Sequence, residues 1–275
     1  MAEMASLAGF RSLATKIVCV GRNYKDHALE LGNAIPKKPM LFVKTVNSFI
    51  VEGEPIVAPP GCQNLHQEVE LGVVISKRAS HISKNDAMSF VGGYTVALDM
   101  TARDFQDEAK KAGAPWFLAK SFDGSCPVGG FLPASEVPNP HDVELFCKIN
   151  GKDQQRSRTD VMIFDIPTLL EYATKFVTLE PGDVVLTGTP AGVTKINSGD
   201  VIEFGLTDKL TAKFTVQTVH SVHNFYLFSA IIIAINVVFC CIFFAFGDRI
   251  LEGRYKNDIA TSSSGDRSLN RTLEE

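Results

Sequence analysis

Three acidic residues constrain this chain more than any other feature. Glu68 and Glu70 stand in His66-Gln-Glu68-Val-Glu70-Leu71, and Asp99 closes the later apolar run 94–98. In an extended strand successive side chains alternate faces, so Glu68 and Glu70 point one way while Val69 and Leu71 point into a core. One reading is an exposed strand whose solvent face happens to carry two glutamates. Val73, Val74 and Ile75, however, continue the run as a strand buried on both faces does. A buried strand cannot leave two carboxylates unpaired without a large desolvation cost. A hard cation between them removes that cost, and Asp99 completes an all-oxygen set. Such a set suits Mg2+ or Mn2+ better than zinc.

The chain is long enough for one large domain or two small ones: 275 residues, 45% hydrophobic and 21% charged, an ordinary globular composition. Its net charge of -4 and the lack of any Lys/Arg run offer nothing to a nucleic-acid backbone, so no nucleic-acid partner is expected. Cys19, Cys62, Cys126, Cys147, Cys240 and Cys241 show no C-x-x-C pairing and are read as reduced thiols in a non-secretory compartment. Residues 1–15, with Arg11, two serines and the single acid Glu3, read as an N-terminal leader or extension of a short mitochondrial type.

Residues 16–216 read as one β-rich domain with few helices. The patterning predicts strands over 16–20, 40–43, 68–75, 94–98, 144–149, 184–186, 201–204 and 210–216, and the last alternates cleanly. Asn150-Gly151 marks a hairpin. Thr101-Ala-Arg-Asp104 has the form of a cap opening a helix to Ala112, Ser83 with Asp86 opens another, and Pro167 starts a third carried by Leu169, Leu170, Ala173 and Phe176.

Other groups near the acidic set carry chemical potential of their own. His27 and Glu30, spaced i,i+3 in the segment after the first strand, form either a dyad that activates water or a solvated surface pair. Lys120 follows the apolar Pro115-Trp-Phe-Leu-Ala119. It either presents its ammonium to an anionic substrate and a developing enolate, or snorkels to water. Thr187-Gly-Thr189-Pro-Ala-Gly192 is a loop of small residues whose N–H groups can grip a carboxylate, although such loops are commonly plain turns.

Beyond residues 217–224, read as a linker, 225–246 carries no charge. At about 1.5 Å per residue it is long enough to cross a hydrocarbon core of about 30 Å. A C-terminal transmembrane helix that anchors the protein is therefore expected there, followed by a polar, disordered tail over 247–275.

Several motifs occur together in a distinctive order: Val20-Gly-Arg-Asn-Tyr24, His66-x-Glu68-x-Glu70-Leu71, Gly92-Gly-Tyr94, Leu98-Asp99-Met-Thr-Ala-Arg103-Asp104, Leu118-Ala-Lys120-Ser-Phe122 and Thr187-Gly-Thr-Pro190-x-Gly-Val193. On these the chain resembles the fumarylacetoacetate hydrolase superfamily from about Lys16 to Val216. The resemblance implies an α+β, mainly β fold, a mixed β-sandwich roll, assembled as a homodimer. It implies Mg2+ or Mn2+ on Glu68, Glu70 and Asp99. It also implies a catalytic set of His27, Glu30 and Lys120, the first two on a lid, with Arg22, Tyr24, Arg103, Gln106 and Thr189 binding substrate. The implied activity is on small 2-oxo acids: hydrolytic C–C cleavage of acylpyruvates, and decarboxylation or keto–enol tautomerisation of oxaloacetate, through an enolate whose charge the metal takes up. The alternatives are a hydratase or isomerase of the same superfamily and a membrane-tethered protein with a vestigial site. The compartment implied is the mitochondrion, with the cytoplasm as alternative.

Overall fold

The computed structural model of the protein describes residues 7–30, 32 and 34–217. The chain divides into Met1–Val219 and His220–Glu275, and the second unit lies outside the described residues. In chain order the first strands are β1 Ile17–Gly21, β2 Met40–Lys44, β3 Phe49–Ile50, β4 Ile56–Val57, β5 Leu65–Gln67, β6 Val69–Ile75, β7 Val91–Leu98 and β8 Thr101–Ala102. They are followed by β9 Cys126–Pro127, β10 Leu132–Pro133, β11 Glu144–Ile149, β12 Lys152–Arg158, β13 Val184–Leu186, β14 Thr194–Lys195, β15 Val201–Leu206 and β16 Leu210–Gln217. The α-helices are short: α1 Phe10–Leu13, α2 Lys25–Glu30, α3 Arg103–Ala112, α4 Phe117–Lys120 and α5 Ile166–Thr174.

Two sheets make the body, one six-stranded (β10-β7-β6-β13-β1-β2) and one five-stranded (β12-β11-β15-β16-β4). Their facing sides share one core, with Leu71, Val73 and Val96 from the first against Leu145, Phe204, Ala212 and Phe214 from the second. The far side of the six-stranded sheet is also covered, by Phe10 and a second cluster containing Ile17, Cys19, Val74, Val184 and Leu186. β6 and β13 are therefore buried at every position, which is why they read as unbroken apolar runs rather than alternating ones. β16, at the solvent face of the other sheet, alternates.

The mainly β reading stands, with local corrections. The strand expected over 68–75 breaks at Glu68: β5 belongs to a small three-stranded sheet with β14 and β8, β6 belongs to the large one, and Glu68 is the residue between. Thr101 does not cap a helix, because Thr101–Ala102 pairs with β5 and α3 begins at Arg103 behind an Ala102 that has no capping side chain. Ser83 Oγ bonds Asp86 Oδ2 at 2.7 Å, but the turn leads into a single 3-10 turn, Ala87–Phe90. α5 is capped by Asp165, which accepts from the Thr168 N–H, and it ends before Phe176, which is 70% exposed rather than part of its buried face. The Asn150-Gly151 hairpin forms, both residues adopting positive φ (52° and 78°), the twist a two-residue turn requires.

The fold class is also corrected at its C-terminal end. Among the described residues no helix is long and apolar enough to cross a membrane, so the expected transmembrane helix is not part of the described fold. The segment 225–246 on which that helix was expected, with its linker and polar tail, lies outside the described residues. Cys19, Cys62, Cys126 and Cys147 are free thiols.

Candidate active site

The strand order brings the three carboxylates together. β6 and β7 run antiparallel with Val69 opposite Leu98, which sets Glu68 beside Asp99, and the Asp99 N–H donates to the Glu68 carbonyl at 2.8 Å. One ligating oxygen from each of Glu68, Glu70 and Asp99 lies within 4.8 Å of the others, and all three residues are buried. Val69 and Leu71, on the opposite face, are in the core.

Four groups hold this arrangement. Lys120, at the end of α4, places Nζ 2.8 Å from Glu68 Oε2 and 2.6 Å from Asp99 Oδ2. At 3% exposed it does not snorkel. Lys44, at the end of β2, is fully buried with Nζ 2.9 Å from Asp99 Oδ1; it donates to the Met100 and Lys120 carbonyls and to Ser125 Oγ. Arg103 pairs with Glu68 Oε1 at 2.5 Å and donates to Gln106 Oε1 at 2.6 Å. The Gly188 N–H donates to Glu70 Oε2 at 2.6 Å. Gly188 has φ +97°, and a Cβ there would lie 2.7 Å from Asn23 Cβ, so only glycine lets this backbone approach.

The two glutamates differ electrostatically although they flank Val69 and converge on one site. Burial pushes Glu68 upward, but Lys120, Arg103 and His27 outweigh it and hold the carboxyl well below its ordinary range. Glu70 is pushed well above its ordinary range by burial and by the charges of Asp99 and Glu68. Lys120 stays above its ordinary value, since Asp99 and Glu68 overcome its burial. His66, which opens the motif, is pushed down to about 4 by burial and Arg103, with Nε2 2.9 Å from Asn64 Oδ1.

The donor set fits a hard divalent cation. It is made of oxygens alone, Asp99 Oδ1 is buried with no hydrogen bond because Lys44 stands off its bonding direction, and three carboxyl groups converge where, among the described residues, Glu70 has no ion-pair partner.

A small cleft over the triad is walled by Arg22, His27, Glu68, Arg103, Gln106 and Lys120, with Met40, Phe42 and Trp116 as its apolar side. His27, on α2, is buried, and its Nδ1 lies 3.3 Å from Glu30 Oε2. Glu30 in turn accepts from the Gly192 N–H at 3.0 Å. Thr189 and Tyr24 do not line this cleft: the Thr189 hydroxyl accepts from Gln155 at 2.8 Å, and the Tyr24 hydroxyl is buried without a partner. Burial and Glu70 push the Tyr24 phenol upward.

Sequence reasoning missed Lys44 and Gln155. Lys44 shares its strand face with Met40 and Phe42, a period-2 signal that the expected strand, ending at 43, cut short. Gln155 had no such signal, because a bulge in the β11–β12 register sets the way it faces.

The mixed two-sheet fold carries an acidic triad that could hold a metal ion under a cationic cleft, and residues 16–217 match the fumarylacetoacetate (FAA) hydrolase C-terminal family. The chain belongs to that family and is an enzyme, which sets aside the reading as a binding protein with a vestigial site. It is 91% identical over 214 residues to the mitochondrial oxaloacetate tautomerase fahd-1 of Caenorhabditis elegans, a match covering 78% of this chain and 100% of that one. It is 47% identical over 217 residues to the mitochondrial oxaloacetate tautomerase FAHD1 of Homo sapiens, covering 79% and 98%. Among solved structures it resembles fumarylpyruvate hydrolase from Pseudomonas aeruginosa in complex with Mn2+ and pyruvate, with a TM-score of 0.71 and 34% identity over 74% of this chain and 90% of that one.

Proposed function

We propose that the protein is a divalent-metal-dependent oxaloacetate tautomerase, and that the same site decarboxylates oxaloacetate and hydrolyses acylpyruvates. The observation that carries this reading is the buried Glu68-Glu70-Asp99 set with Lys120 bonded across it, opening into a cleft of cationic groups. Mg2+ or Mn2+ would be held by the three carboxylates and would supply Lewis acidity toward a 2-oxo acid. The tautomerase names of close relatives and the Mn2+ and pyruvate of the Pseudomonas structure support it.

The protein's own residues divide the remaining work. Arg22 and Arg103 face the cleft as guanidinium groups suited to substrate carboxylates, with Gln106 beside them; Tyr24 and Thr189 stand outside that wall, and their part in binding rests on the family resemblance. Tautomerisation moves a proton between C3 and the carbonyl oxygen, with His27, steadied by Glu30, as the base and Lys120 stabilising the enolate charge. Decarboxylation reaches the pyruvate enolate by loss of carbon dioxide and needs no water. In hydrolysis His27 takes a proton from water, the hydroxide adds to the distal carbonyl, and the C–C bond breaks to release pyruvate enolate and an acid. A hydratase or isomerase of the same family is distinguished by whether His27 and Glu30 are required.

The assembly proposed is a homodimer, which would cover the apolar edge formed by Val43 (48% exposed), Phe117 (57%) and Leu118 (69%). The proposed compartment is the mitochondrion, after the relatives' names.

The test is metal removal. Protein treated with EDTA is expected to lose turnover of oxaloacetate enol and of acetylpyruvate and to regain both with Mg2+ or Mn2+. Full activity in metal-free buffer overturns the reading.

A further inference from the structure

Gln155 is buried and fully bonded yet belongs to a strand that otherwise faces solvent. It is the single buried residue of β12, at 1% exposed. The cause is a bulge: β11 and β12 pair Ile149 with Lys152 and Lys148 with Asp153, then skip, so that Cys147 meets Gln155. Gln154 is the extra residue. In unbroken register Gln154 would oppose Cys147, and Gln155 would point to water.

The inward amide is used at both ends. Oε1 accepts from the Val69 N–H at 3.0 Å and from Gln67 Nε2 at 3.5 Å; Nε2 donates to Thr189 Oγ1 and to the Pro190 carbonyl, each at 2.8 Å. Val69 lies between the two glutamates of the triad. β13 stops at Leu186 opposite Gly72, so Val69 has no strand on that side and Gln155 supplies the missing acceptor. The bulged Gln154 adds a bond to the Gly192 carbonyl at 3.0 Å. Gly192, at φ +101°, lies so close that a Cβ would fall 2.2 Å from the Gln154 carbonyl oxygen. Its N–H then serves Glu30, the partner of His27.

We infer that Gln155 is a positioning residue: it ties the 189–192 loop to the acidic strand, and so fixes Thr189 and the His27–Glu30 pair at a set distance from the three carboxylates. The inference rests on the proposed roles of Thr189, His27 and Glu30. The bulge is then a functional device, because it turns inward a side chain that reaches both Val69 and the loop at Thr189 and Pro190, beside the bond that Gln67 makes to the Gly192 carbonyl at 3.3 Å.

The test compares the full-length wild type with Gln155→Met and Gln155→Glu by amide hydrogen exchange, Mn2+ titration and steady-state kinetics on oxaloacetate. Gln155→Met keeps the bulk and loses every bond. Exchange is expected to quicken over 189–192 and 25–30 and to stay unchanged over 71–75, with KM up about tenfold or more, kcat falling less, and Mn2+ affinity within about threefold of wild type. Gln155→Glu keeps Oε1 for Val69 and sets an oxygen against the Pro190 carbonyl. Loosening confined to the loop is expected, and this variant alone decides if the Met variant does not fold. Wild-type exchange over 189–192 with an unchanged KM in the folded variants overturns the inference, as does a lowered melting temperature with no change in KM, kcat or loop exchange. Should the wild type not turn over oxaloacetate, the proposed function fails, while the exchange pattern still decides the role of Gln155.

Discussion

Asp99 is gripped by two buried lysines, Lys44 and Lys120, whereas Glu30 bonds one histidine and one backbone N–H and keeps 34% of its side chain in solvent. Glu68 of the triad and His27 of the pair line the same cleft, but the acidic triad sits at the ends of strands buried on both sides, and the His27–Glu30 pair rides on α2, a helix from Lys25 to Glu30 with Leu29 56% exposed. The difference teaches where rigidity is needed. Three converging anions must be over-determined by their surroundings, because an unbalanced buried charge is costly. A proton-transfer pair needs only the right partner at the right moment and can belong to a segment that opens at low free energy.

The comparison breaks first at Glu70. Glu70→Ala should cost about 10³-fold in turnover of both oxaloacetate and acetylpyruvate, the rate equivalent of the several kcal/mol a Lewis acid supplies, and should weaken Mn2+ binding in the same titration. Activity within tenfold of wild type would mean that the carboxylates are not the metal site.

Lys44→Met tests the rigid half alone. Removing one partner of a buried ion pair leaves Asp99 uncompensated, so the unfolding free energy from urea melts should fall by about 3–5 kcal/mol. An unchanged urea midpoint would show that Lys120 alone balances Asp99.

His27→Ala probes the looser half. Acylpyruvate hydrolysis should fall by about 10²-fold, and the urea midpoint should barely move, since α2 contributes little to the core. Decarboxylation, which consumes no water, should fall far less. Equal losses in both reactions would place His27 in substrate positioning or lid closure rather than water activation.

The smallest effect concerns a carboxylate outside both regions. Asp183 accepts from the Thr15 and Glu180 N–H groups at 2.7 and 2.8 Å and pairs with Lys16 at 2.6 Å. Its burial pushes it upward, but these donors win and hold it below its ordinary value. A depressed carboxyl contributes stability that is fully present above its unfolded pKa of about 4 and is lost as pH falls through its folded value. Asp183→Asn should therefore lower stability at neutral pH and flatten the acid limb of a stability–pH curve. Parallel acid limbs for variant and wild type would remove this account.

The legibility of the site followed the same division. Glu68, Glu70 and Asp99 stood out because carboxylates in unbroken apolar runs conflict with burial, and that conflict is visible without a structure. His27 and Glu30 were legible only as a spacing, with an idle surface pair equally consistent; burial of His27 and the bond from Gly192 to Glu30 come from distant segments. The break at Glu68 was hidden because period-2 patterning continues through it while the hydrogen-bond partners change sheet. Gln155 was hidden because a bulge reverses facing without altering composition.

By itself the sequence determined the mainly β character, the two-sided burial of β6, the hairpin at Asn150-Gly151 and the all-oxygen donor set, each a consequence of local chemistry: side-chain alternation, positive φ and the cost of burying charge. Tertiary structure alone decided that Lys44 and Lys120 balance Asp99, that Glu68 and Glu70 carry opposite pKa shifts at one site, and that Gln155 joins the loop to the acidic strand. The physical reason is that electrostatic balance and register depend on which segments become neighbours in space, and the spacing of residues along the chain does not contain that information.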